Sequence, residues 1–175
     1  MMAARWRIGD GAAVVAVIAL AIWVGGLVAL GACAAPIVFR VVQAPLSGDA
    51  MGAVFQRFDG IAIACGVVLL GCEAMRIRFE PSSSYATRNM RLAARTRTAL
   101  SVFAVLAAIY GGTQLSPRIV ELHAAGAVRG SGDDGVELER IHRRAESVAK
   151  IEVIAGLILL ALHVTTLRRT PETSA

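Results

Sequence analysis

A chain of 175 residues is long enough for one compact domain and no more. Hydrophobic residues make up 56% of it and mean hydropathy is +0.63, above the ~45–50% apolar content of soluble globules, which excludes an ordinary water-soluble domain. The formal charge of +5 comes from 18 basic residues, all arginine except Lys150. They sit between apolar runs rather than along one stripe, a pattern that sets membrane topology and touches anionic headgroups and does not suit nucleic acid.

The first apolar run, residues 11–39, carries no charge and exceeds the ~20 residues needed to cross ~30 Å of hydrocarbon. Gly25, Gly26, Gly31 and the small residues up to Ala35 form a smooth strip of the kind that lets helix backbones approach closely. Pro36 marks a kink or an end. Leu30-Gly31-Ala32-Cys33 resembles a lipoprotein processing box and Ala32-Cys33-Ala34 a signal-peptidase site, with Arg5 and Arg7 as the charged leader. The run before Cys33 is long for an apolar leader of ~7–15 residues, and residues 34–39 stay apolar, so a retained span is expected.

Residues 40–57 form a short polar connection with Pro45, Ser47, Gly48 and Asp49 as turn formers. The second span covers about 52–76, with an amphipathic lead-in. A basic loop with six arginines between Arg76 and Arg97 leads to the third span, about 97–116. After Pro117 the pattern continues as helix beyond the bilayer. Residues 129–136 make a hydrophilic turn, and from Glu137 a long charged helix runs into the fourth span, about 147–168. On it Glu139–Arg143 and Glu146–Lys150 are attractive pairs four apart, while Arg140–Arg144 repel. The reading is a single all-α domain over residues 1–175. It is an integral membrane bundle of four transmembrane helices, with helices three and four extended beyond the bilayer as a hairpin. No internal repeat or low-complexity tract is expected.

Four spans place both termini on one side, with ten basic residues against eight on the other. The six-arginine loop lies close to its spans, so that side is expected to be cytoplasmic in a bacterial inner (plasma) membrane. Cys33, Cys65 and Cys72 all lie in apolar runs without paired spacing, which argues against a disulfide framework.

Ionisable residues within or beside spans are expensive and mark candidate sites. Glu73 and His163 fall near the same inner interface and are candidates for a mutual contact. Asp59 sits at the outer mouth of span two. Glu152, one turn into span four, could meet Tyr110, Thr113 or Gln114 across the hairpin. His142, four residues before Glu146, is a candidate metal ligand or proton-responsive group. A simple antiparallel hairpin turning near Ser131 sets His142 about two turns deeper than His123, which separates the two rings. His142, Glu146, Asp59, Glu152, His163 and Glu73 are the metal-ligand candidates, although three scattered histidines do not spell a zinc site. No phosphate-binding loop, serine-hydrolase elbow, zinc-protease or dinucleotide motif is present, so no catalytic residue and no cofactor is expected.

Trp23-Val24-Gly25-Gly26, followed by Ala34-Ala35-Pro36-Ile37-Val38-Phe39, resembles the opening signature of a family of small four-span membrane proteins that includes eukaryotic transmembrane protein 205. The likeness continues through residues 50–55, through Ser116-Pro117 and into Ile141-His142-Arg143. It departs in the Glu139-Arg140 that precedes Ile141 and in the low aromatic content. The resemblance implies a four-span bundle and links to metal or drug tolerance. The function expected first is a noncatalytic membrane protein acting through helix packing with itself, as a homo-oligomer, or with a larger complex, its other partner being the lipid bilayer. The alternative is a transport or metal-tolerance module using the polar residues at the outer mouth.

Overall fold

In a computed structural model, residues 2–44, 46–79 and 88–167 are described. They are helical, with no strand among them. Helix α1 (Met2–Val28) passes through a π-helical turn (Ala29–Ala34) into α2 (Ala35–Val41). Helix α3 (Leu46–Phe79) returns. Helix α4 (Arg88–Tyr110) passes through a second π turn (Gly111–Leu115) into α5 (Ser116–Ala124), and α6 (Gly132–Leu167) completes the bundle. Four stretches are long and apolar enough to cross a membrane: Gly9–Val41, Leu46–Phe79, Met90–Ala124 and Gly132–Thr165. Each has 33 to 35 residues, so all four outrun the hydrocarbon, and not only the last two.

Both π turns have the same cause. Proline lacks an N–H, and its ring crowds the carbonyl four residues back. Pro36 and Pro117 each stand second in the helix after the turn. The chain widens before them, with the N–H of Ala35 donating to Leu30 O and that of Ser116 to Gly111 O, each five residues back. A glycine five residues ahead of the proline, Gly31 or Gly112, recurs in both, so one backbone device is used twice.

Helix α1 packs on α3 and α6, and α4 packs on the same two, so α1 and α4 face each other across the bundle. The main core gathers Leu20, Trp23, Leu69, Val105 and Leu159 with small residues such as Ala16, Ala62 and Ala108. Glycine permits the closest crossings. A Cβ on Gly26 would collide with the Phe58 ring, and one on Gly66 would stand 2.9 Å from Val105 Cγ2. Outside, Ile18, Ile22, Val67, Phe103, Leu106 and Leu157 are exposed, an apolar girdle that lipid would cover. The three cysteines are free.

The hairpin between α5 and α6 is not a simple reversal. Helix α5 ends in a Schellman cap, in which left-handed Gly126 (φ 79°) donates to His123 O at 2.9 Å and Ala127 to Leu122 O at 3.0 Å. The chain then climbs beside the first turn of α6, where Gly130 donates to Gly135 O and Ser131 to Val128 O, both at 3.0 Å. Gly135 has no room for a side chain because the Val128 carbonyl lies against it. Helix α6 therefore starts beyond the end of α5 along the bundle. Across the hairpin Arg118 grips Glu137 with two hydrogen bonds, at 2.9 and 3.1 Å, over a small core of Leu115, Leu122, Leu138 and Ile141.

Candidate functional site

The candidate residues separate into two groups on opposite halves of the bundle. In the half that carries the α5–α6 hairpin a cavity of about 430 Å³ opens between the helices, and Asp59, His142, Glu146 and Glu152 all line it. Both π turns reach it, through Gly31 and Gly111. Volume and shape fall in the range of small-molecule sites. A shallower groove along α6, beside Arg140, Arg143 and Arg144, lies on the open surface.

Two carboxylates form the polar core of the cavity. Asp59 accepts a 2.5 Å hydrogen bond from the Ser116 hydroxyl. Glu152, only 7% exposed, accepts one from the Trp23 indole N–H at 3.0 Å through Oε2. The hydrogen-bond partner of Glu152 is thus a residue of the first helix, because α6 also packs on α1. The adjacent glycines of the second π turn bring the two acids to one place. A Cβ on Gly112 would stand 3.0 Å from Asp59 Cβ, and one on Gly111 would stand 3.8 Å from Glu152 Oε1. Each acid has a neutral donor, and among the described residues neither is paired with a cation.

His123 and His142 meet at the rim, with ring centroids 6.0 Å apart in an edge-to-face arrangement. This corrects the expectation that depth separates them. The climb of residues 127–131 sets the start of α6 outward and brings His142 level with His123. Gly48 makes space for the His123 ring, since a Cβ there would lie 3.2 Å from its Cε1. Among the described residues Nδ1 of His142 is buried without a hydrogen-bond partner. The rim charges are paired elsewhere: Arg129 with Glu139 at 3.1 Å, and Glu146 with Lys150 at 2.7 Å. Among the described residues no three His, Cys, Asp or Glu side chains converge as metal ligands.

The second group lies at the opposite end, near the end of α3 and the start of α4. Glu73 and His163 approach to 3.4 Å, the contact anticipated for them. Around them stand two arginines that the sequence placed in a basic loop. Arg97, 2% exposed, donates from Nε to Glu73 Oε1 at 2.7 Å, and Thr98 donates to Oε2 at 3.1 Å. Arg76 Nη1 lies 3.1 Å from His163 Nδ1. A signal for Arg97 was present: it shares a helix face with Ser101, Ala104 and Ala108, all buried. Trp23 and Ser116 stood out only as members of the short motifs at residues 23–26 and 116–117, and only the tertiary fold brings them to an acid.

The comparisons with known proteins bear on part of this arrangement. No curated protein and no solved structure matches the chain. Residues 18–127 match the family described as a domain of unknown function, DUF4149. The matched stretch runs from α1 through α5 and includes Trp23, Asp59, Glu73, Arg97 and Ser116, while Glu152 and His163 on α6 lie beyond it. With well over half of its length matched, this multi-pass helical protein belongs to the DUF4149 family.

Proposed function

We propose that the protein is a noncatalytic module of a bacterial plasma membrane, with both termini cytoplasmic, whose outer cavity receives a small molecule in the service of transport or tolerance. The observation that carries this reading is the cavity itself. Apolar walls and a few convergent polar groups are the usual make-up of a ligand site. The likeness of the α1 and Ser116-Pro117 motifs to the transmembrane protein 205 family agrees with a tolerance role. Among the described residues the Ser116 hydroxyl meets the Asp59 carboxylate with no third, orienting group of the kind acyl-transfer sites use. Ala149 lines the cavity. The test is a thermal-shift screen of small molecules on the purified protein in nanodiscs, comparing the native chain with Ala149→Phe. Ligands that raise the melting temperature of the native chain are expected to leave the filled variant unmoved. An equal response from both would sink the proposal.

Self-association through α1 is a second reading, favoured by one observation. Ala12, Ala16, Ala19 and Gly26 are used inside the bundle, but Gly25 faces open space. Crosslinking in native membranes is expected to trap dimers through this face, and a strictly monomeric species with no copurifying partner would remove the reading.

A further inference from the structure

Resting on the cavity as a ligand site, the geometry points to its ligand class: we infer that the cavity binds a lipophilic organic monocation, a protonated amine or quaternary ammonium, between Asp59 and Glu152. Three features converge on this chemistry. The first is charge. An ionised carboxylate in a low-dielectric interior is costly unless a cation or several donors answer it. Glu73, at the inner end, is answered by Arg97 at 2.7 Å. Asp59 and Glu152 are not answered in this way. Each accepts one hydrogen bond from a neutral group, so one oxygen of each carboxylate accepts none among the described residues. The positive charge missing from this site is one that a ligand can bring.

The second feature is the wall. Phe39, Phe55, Met51 and Ile119 line the same cavity. Aromatic faces attract organic cations, and the aliphatic surface takes the apolar body of the molecule. A small hydrated metal ion would gain nothing from such walls and would find no third ligand side chain among the described residues. The third feature is access by bare backbone. Gly111 and Gly112 put no side chain between the carboxylates, so a bulky ammonium can approach both. The basic groups near the rim do not compete, since Arg129 is held by Glu139 and Lys150 by Glu146.

The test uses the full chain in phosphatidylcholine nanodiscs and equilibrium dialysis of radiolabelled benzyltrimethylammonium. The native protein is expected to bind it saturably. Its uncharged carbon analogue neopentylbenzene, and benzenesulfonate of opposite charge, are expected not to compete. Asp59→Asn and Glu152→Gln keep an acceptor for Ser116 and Trp23, and each is expected to weaken binding by about tenfold or more. The double variant is expected to lose it, and Asp134→Asn at the exposed start of α6, away from the cavity, to retain it. No saturable binding by the native chain, undiminished binding by the double variant, or equal competition by neopentylbenzene overturns the inference. The competition arm needs no variant and stands even where a substitution impairs folding. The two failures are distinguishable. If neopentylbenzene binds and Ala149→Phe abolishes it, the cavity remains a ligand site and only the cation is wrong. If Ala149→Phe binds every probe as the native chain does, the cavity reading itself falls.

Discussion

Glu73 and Arg97 are each 2% exposed, and their pairing decides the energetics of the inner end. Removing one partner of a buried ion pair strands the other, at a typical cost of ~3–5 kcal/mol, whereas replacing both with apolar groups of similar size is often neutral. Glu73→Leu is therefore expected to destabilise the protein by about that much in denaturant titrations in micelles, and Glu73→Leu combined with Arg97→Met to recover most of the loss. A single variant as stable as the native chain would show that the pair is not a unit. This is also where the sequence was half legible. A charge inside a span announces that it needs a partner, so Glu73 and His163 were readable together. Arg97 was harder to see because an arginine at the edge of a basic stretch looks like a topology signal. Only its register with Ser101 and Ala104 separates it from its loop-facing neighbours. For Asp59 and Glu152 the acids were legible and their partners were not, since Ser116 and Trp23 are ordinary residues until the fold brings them close.

At the level of the helices, adjacent glycines on α1 have opposite tasks. Gly26 faces Phe58 with no room for a methyl group, while Gly25 faces open space. Gly26→Ala is expected to cost ~1–3 kcal/mol through overpacking, and Gly25→Ala to be neutral or slightly stabilising, because alanine is the better helix former. Equal effects in thermal melts of the two variants would mean that the crossing of α1 and α3 is looser than described. The apolar runs identified four helices because lipid demands unbroken hydrophobicity. Their true ends escaped, since α3 begins at Leu46 and α6 at Gly132 within polar stretches, where capping and tertiary contacts decide. Pro36 and Pro117 likewise mark disturbed helix. A missing hydrogen bond can be met by a break or by a wider turn, and at Pro117 the wider turn packs on α3 and α6.

For the whole molecule, the proposed orientation puts the α5–α6 hairpin outside. Alkaline phosphatase fused after residue 131 is expected to be active, and fused after residue 175 inactive. The reverse pattern would turn the cavity toward the cytoplasm. Counting basic residues alone gives this orientation a margin of ten to eight. Two of those ten, Arg76 and Arg97, are buried in the inner ionic group and carry less topological weight than loop arginines.

The two polar groups are also close together. From Asp59 to Glu73 α3 rises about 21 Å, and from Glu152 to His163 α6 rises about 16 Å, against ~30 Å for a bilayer's hydrocarbon. Between them lies the apolar layer of Leu20, Leu69, Val105 and Leu159. Where polar sites indent an insulator, voltage drops chiefly across what remains. The membrane potential, worth ~2.3 kcal/mol per elementary charge per 100 mV over the full thickness, is concentrated here on a thinner septum. In the proposed role, a charge held at Asp59 and Glu152 stands at the edge of that septum and meets most of the field only beyond it.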